Sequence, residues 1–239
     1  LNKGQKITLT VDGSEGASIV ADNGILMQVM DSDETGMGGG AFIVPIGEKD
    51  KKIRGRDLTV AIPDEDVFAS FSNMEVKGNL YNSTTNLMPN CKSDPDARPH
   101  DGEFDGPPPM DFGQVRGMGT DLQGPKNVEI RLNNAKVEGL ITCATAAYGE
   151  GVTKIDKSNC EELGRITCTA SAPVNNGMIV FMDKNTEWTV TGKCYLTKLQ
   201  MARRAVLKGP KGKPVKMVVN GKPTDIQPGI YTGKVVLSV

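Results

Sequence analysis

Apolar and polar residues alternate at both ends of the chain. Lys6-Ile-Thr-Leu-Thr-Val-Asp12 puts Ile7, Leu9 and Val11 on one face and Lys6, Thr8 and Thr10 on the other. This is the period-two pattern of an extended strand. The run Gly229-Ile-Tyr-Thr-Gly-Lys-Val-Val-Leu-Ser-Val239 likewise sets Tyr231, Gly233, Val235, Leu237 and Val239 against Ile230, Thr232, Lys234, Val236 and Ser238. A terminal strand frays unless it is tied into a sheet. The pattern therefore predicts that both strands are paired, and it points to assembly rather than catalysis.

Similar runs fill the interior: 57–62, 127–132, 140–145, 165–170, 178–182, 187–191 and 215–219. Each is short, rich in β-branched residues and bounded by Gly, Pro, Asn or Asp, the signature of strands. Asn220-Gly221 predicts a tight hairpin turn, because both positions accept positive φ, and Asn176-Gly177 is a second candidate. Between Leu196 and Leu207 the apolar spacing favours a short helix over a strand, with Gly209 able to end it. Many short strands with so little helix predict an all-β, immunoglobulin-like sandwich.

Residues 83–126 carry no periodicity and are rich in Pro, Gly and Asp. They read either as an insertion into one sandwich spanning 13–239 or as a boundary between two domains near 115–126. Gly36-Met-Gly-Gly-Gly40 reads as a loop, since it lacks the Lys and Ser/Thr of a phosphate-binding loop.

A net charge of −1 gives no pull toward nucleic acid or anionic lipid, and no apolar run is long enough for a membrane-spanning helix. The chain opens on Leu1 with no apolar leader before it, which fits either a secreted product after leader removal or a trimmed chain. Cys91, Cys143, Cys160, Cys168 and Cys194 include no CxxC pair, arguing against zinc and thioredoxin-type sites. One or two disulfides in an oxidising compartment is the favoured reading, and buried thiols are the alternative.

Candidate chemistry is sparse. His100, the single histidine, sits in the irregular segment without an evident orienting partner, so no catalytic residue is assigned. Asp31–Gly36 and Asp101–Gly106 resemble the first half of a calcium loop, yet Phe42 and Phe112 stand where its bidentate Glu belongs. Asp94, Asp96, Asp101, Glu103, Asp105 and Asp111 read better as a solvated acidic segment than as a metal site, and no cofactor is expected. Lys208, Lys211, Lys213, Lys216 and Lys222, with Arg203 and Arg204, lack interleaved aromatics and read as protection for a strand edge or as charges that hold the chain in solution. Asn82-Ser-Thr84 is a glycosylation sequon by pattern alone.

The opening Gly4-Gln-Lys-Ile-Thr-Leu-Thr-Val-Asp12 resembles the N-terminal donor strand of chaperone–usher pilins. The closing Gln227-Pro-Gly-Ile-Tyr-Thr-Gly-Lys-Val-Val-Leu-Ser-Val239 resembles their final strand. The match covers about a tenth of the chain. It implies an incomplete immunoglobulin-like sandwich whose groove accepts a neighbour's strand by β-augmentation. Residues 1–12 are then the donor strand, with Ile7, Leu9 and Val11 as plugs; Tyr231, Gly233, Val235 and Leu237 border the acceptor groove. Burying three such side chains contributes about 5–8 kcal/mol before ordering costs.

The resemblance further implies a secreted homopolymer, an extracellular pilus or fimbria, with a periplasmic chaperone, an outer-membrane usher and a surface receptor as partners. A stand-alone or fibre-tip adhesion module and a virion or tail subunit are the alternatives, and an enzyme is the least favoured reading.

Overall fold

The computed structural model describes residues 7–13, 16–29, 52–53, 56–57, 67–83, 127–147, 166–174 and 176–239. Its architecture is a stack of coils, each laid on the previous one with strands running parallel. In the first coil, β1 (Thr8–Asp12) and β2 (Ser18–Val29) both pair parallel with β5. Between them and β5 comes a small hairpin, β3 (Lys52–Ile53) with β4 (Arg56–Asp57). The second coil is β5 itself (Val67–Ser83).

The third coil is β6 (Val128–Gly139) followed by β7 (Ile141–Ala147), both parallel to β5. An antiparallel strand, β8 (Thr167–Ala170), extends the end of β7. The fourth coil is β9 (Met178–Met182), β10 (Glu187–Val190) and the start of β11 (Cys194–Met201). The remainder of β11 pairs parallel with β9, and β12 (Val206–Lys208) pairs with β10, completing a fifth. An antiparallel unit ends the stack: β13 (Lys216–Val219), β14 (Lys222–Thr224) and β15 (Gly229–Ser238), with β15 lying between β11 and β13.

Side chains on the inner faces stack in columns. Ala69, Ile130, Val180 and Leu199 form one, and Phe71, Leu132, Met182 and Met201 another; all eight are buried. Each such burial stabilises the stack by about 1.5–3 kcal/mol for the larger side chains. Trp188 is fully buried beside Val137, and its indole N–H donates to the Gly139 carbonyl at 3.0 Å.

Corners follow from particular residues. Asn73 (φ 57°) and Asn134 (φ 49°) turn the second and third coils in the left-handed region, where Asn is tolerated better than most residues. The next corner uses Gly78 and Gly139, stacked so closely that a Cβ on Gly139 would lie 2.1 Å from the Gly78 carbonyl oxygen.

The all-β expectation holds, and no α-helix occurs among the described residues. The immunoglobulin-like sandwich is not confirmed: neighbouring strands of such a sandwich run antiparallel, whereas the coils here pair parallel. The helix expected over Leu196–Leu207 is instead β11, a turn and β12. A register irregularity between Leu196 and Lys198 shifts the alternation, so Leu196 and Leu199 both face inward at a spacing that imitates a helix.

Asn176-Gly177 is not a hairpin: Asn176 is buried and its amide donates to the Asn82 carbonyl at 2.7 Å. Asn220 (φ 51°) and Gly221 (φ 81°) do turn β13 into β14, as the sequence predicts.

Candidate functional site

The residues with the strongest claim to function lie at the first coil. Ile7, Leu9 and Val11 pack half-buried against the core, while Thr8, Thr10 and Asp12 are exposed. The parallel ladder fixes where the main chain points. The Ile7 carbonyl accepts from the Phe68 N–H at 2.9 Å, and the Gly13 N–H donates to the Ser72 carbonyl at 2.9 Å. In a parallel pair both groups of a residue face the same neighbour and alternate residues face opposite ways. Ile7, Leu9, Val11 and Gly13 therefore turn their peptide groups toward β5. Those of Thr8, Thr10 and Asp12 turn outward, to an edge that carries no strand among the described residues.

The proposed acceptor residues lie at the other end of the stack. Val235 and Leu237 are fully buried, and over Val235–Ser238 the strand β15 has β13 along one edge and β11 along the other, opposite Val235–Leu237. The Tyr231 hydroxyl donates to the Gln227 carbonyl at 2.7 Å and accepts from the Gln227 N–H at 2.9 Å, pinning the loop before β15. Gly233 (φ 98°) is needed where it is, since a Cβ there would lie 2.3 Å from the Asn220 side-chain oxygen. The strands β11, β9, β6 and β5 separate this set from Ile7, Leu9 and Val11, so the two sets do not meet within one chain.

No protein-family model, curated protein or solved structure matches the chain. The site is therefore read from its chemistry alone.

That chemistry is polar but paired. On the outer wall of the second to fifth coils, Lys136 meets Glu75 at 3.0 Å, Lys77 meets Glu138 at 3.6 Å and Lys208 meets Glu187 at 2.6 Å. These are exposed or half-exposed ion pairs, each contributing little. A neighbouring wall carries Arg131 over the rings of Phe68 (5.4 Å) and Phe181 (5.2 Å), with Lys198 over Phe181 at 4.9 Å. Among the described residues, no group of His, Cys, Asp and Glu is placed to hold a metal ion. No helix of the described residues is long and apolar enough to cross a membrane.

Cys194 is fully buried, Cys143 donates its thiol to the Asn176 carbonyl at 3.0 Å, and Cys168 accepts from the Gln28 amide at 2.9 Å. None of these three is disulfide-bonded to another, so the expected bridge is not found among them; Cys91 and Cys160 lie outside the described residues. The Asn82 sequon is corrected: Asn82 is fully buried and its amide donates to the Gly177 carbonyl at 2.9 Å, leaving no accessible nitrogen for a glycan in the folded chain. His100, both half-matches to a calcium loop and the 84–126 part of the irregular segment fall outside the described residues.

Sequence reasoning missed β2 and β5 and, with them, the repeat. Val67, Asn73, Val76 and Gly78 recur as Val128, Asn134, Val137 and Gly139, each pair 61 residues apart. A search for self-similarity at long period, rather than for strands one at a time, was the signal that could have found it.

Proposed function

We propose that this protein is a non-enzymatic structural subunit that joins copies of itself through its N-terminal strand, as part of an extracellular filament or similar assembly. The observation that carries the reading is β1: an end strand with half-buried apolar side chains and an outward row of main-chain donors and acceptors. Such an edge is a ready template for another strand. The pilin resemblance of the two terminal strands supports the same role for residues 1–12. In the stacked coils β1 lies beside β5, and β15 stands at the other end of the stack. Secretion, assembly with a chaperone and usher, and a surface receptor belong to this proposal through the resemblance alone.

The test is size-exclusion chromatography with negative-stain microscopy on the full chain and on a chain lacking residues 1–12. Trp188 fluorescence reports whether each is folded. Assembled species that vanish on deletion support the reading. A full chain that is folded and monomeric at every concentration sinks it.

A further inference from the structure

We propose that the partner of β1 is the β1 strand of a second copy, paired antiparallel about a two-fold axis through Thr10. The inference rests on the assembly reading above and specifies its geometry.

Three observations carry it. The two ends of the stack are treated differently. At the far end β14, only Lys222-Pro223-Thr224, borders β13 over the Val235–Ser238 half of β15, and Pro223 has no N–H to give. Short length, Lys and Pro are the usual devices that blunt a sheet edge. The last strand in the column of β1 is the Gly229–Thr232 half of β15, which among the described residues has only β11 beside it. At the near end, Thr8–Asp12 holds neither Lys nor Pro. Over the β13–β14 half head-to-tail growth meets a blunted edge, whereas the outer edge of β1 carries no strand among the described residues and head-to-head pairing joins two such edges.

Second, the outward main-chain groups fit their own copy. With Thr10 opposite Thr10 of the second copy, Thr8 falls opposite Asp12, and each of these residues directs its N–H and C=O outward. These are the positions that exchange paired hydrogen bonds in an antiparallel ladder.

Third, the same register sets Leu9 against Val11 of the second copy on the inner face. Both side chains are only half-buried in one copy. Pairing therefore continues the apolar columns across the junction while Thr8, Thr10 and Asp12 stay on the outer face. A two-fold contact of this kind is self-complementary and closed. It makes a pair, and a filament then needs a second contact elsewhere on the stack.

Cysteine placement tests the register. Residues opposite each other at a hydrogen-bonded antiparallel position have Cα atoms about 5.5 Å apart, within disulfide reach. Thr10→Cys should yield a disulfide-linked dimer on a non-reducing gel that the wild-type chain does not. Thr8→Cys should not, because the two copies of residue 8 are about 14 Å apart in this register. Thr10→Pro removes an outward N–H without touching the ladder to β5, and it should weaken association roughly ten-fold through two lost hydrogen bonds.

If deletion of residues 1–12 abolishes assembly yet Thr10→Cys fails to link, or Thr8→Cys links equally well, the two-fold register is overturned and the assembly reading stands. If the wild-type chain is monomeric throughout, both are overturned. A monomer in which the amides of Thr8, Thr10 and Asp12 resist hydrogen exchange also overturns the proposal, since part of the same chain then covers the edge.

Discussion

The side-chain amide of Asn134 donates to the side-chain oxygen of Asn73 across 2.9 Å, although the two stand 61 positions apart in the chain. Asn73 in turn donates to the Asp12 carboxylate at 2.8 Å, so a polar ladder climbs one corner through the first three coils. Each Asn does two jobs: it holds the left-handed backbone of the corner, and it ties its coil to the one before.

Replacing Asn134 by Ala removes the ladder bond and places a less tolerant residue at φ 49°. The expected loss is about 1–3 kcal/mol. Asn134→Gly should recover the backbone part and leave only the missing hydrogen bond. Denaturant unfolding of the three chains separates the two terms. The double change with Asn73→Ala should cost less than the sum, because both substitutions break one shared bond.

Gly139→Ala should be far more damaging than Gly16→Ala. The new Cβ at 139 meets the Gly78 carbonyl at 2.1 Å, which only backbone movement can relieve, whereas at Gly16 nothing lies within 4 Å. About 3 kcal/mol or more is expected at 139. About 1 kcal/mol, from positive φ alone, is expected at 16. Equal midpoints of thermal unfolding for the two variants would refute the close stacking of these corners.

Asp183 gives the fold an acid dependence. Burial works against its charge, but the N–H groups of Asn134 and Asn185, the Thr186 hydroxyl and the nearby Lys184 hold its carboxyl below the usual carboxylate range. A depressed folded-state value means that the stabilisation is present above the ordinary value. It is lost as pH falls from about 4 through the folded-state value. The stability difference between wild type and Asp183→Asn should be constant above about pH 5 and shrink below about pH 4. Urea titrations across that window check it.

Burial pushes the Cys194 thiol up to about 12, against a hydrogen bond with the Ile141 backbone that lowers it. At about pH 8 iodoacetamide should leave Cys194 unlabelled in the folded chain and label it on unfolding. The single tryptophan, Trp188, should shift its emission to the red over the same transition. Modification of Cys194 without that fluorescence change would contradict the buried position assigned to it.

Much of the local structure was legible in the sequence. Ile7, Leu9 and Val11 against Thr8 and Thr10 determine a strand with one apolar face, because period-two alternation is a property of the extended chain itself. Asn220-Gly221 determines a hairpin because few other residues accept two successive positive φ values. Which strand lies beside which was not legible. Alternation says that a face is buried but not whether its neighbour runs parallel or antiparallel, and the ladder between Val67 and Val128 spans 61 residues that no local pattern bridges.

Leu196 and Leu199 misled for a related reason: one irregular step in β11 converts strand spacing into helix spacing, and only the partner strand β15 reveals it. The candidate site divides in the same way. The residues of β1 could be named from the sequence, but the outward direction of the Thr8, Thr10 and Asp12 peptide groups was decided by the fold. Direction depends on which alternate residues β5 has already engaged, and that is settled only when the coils stack.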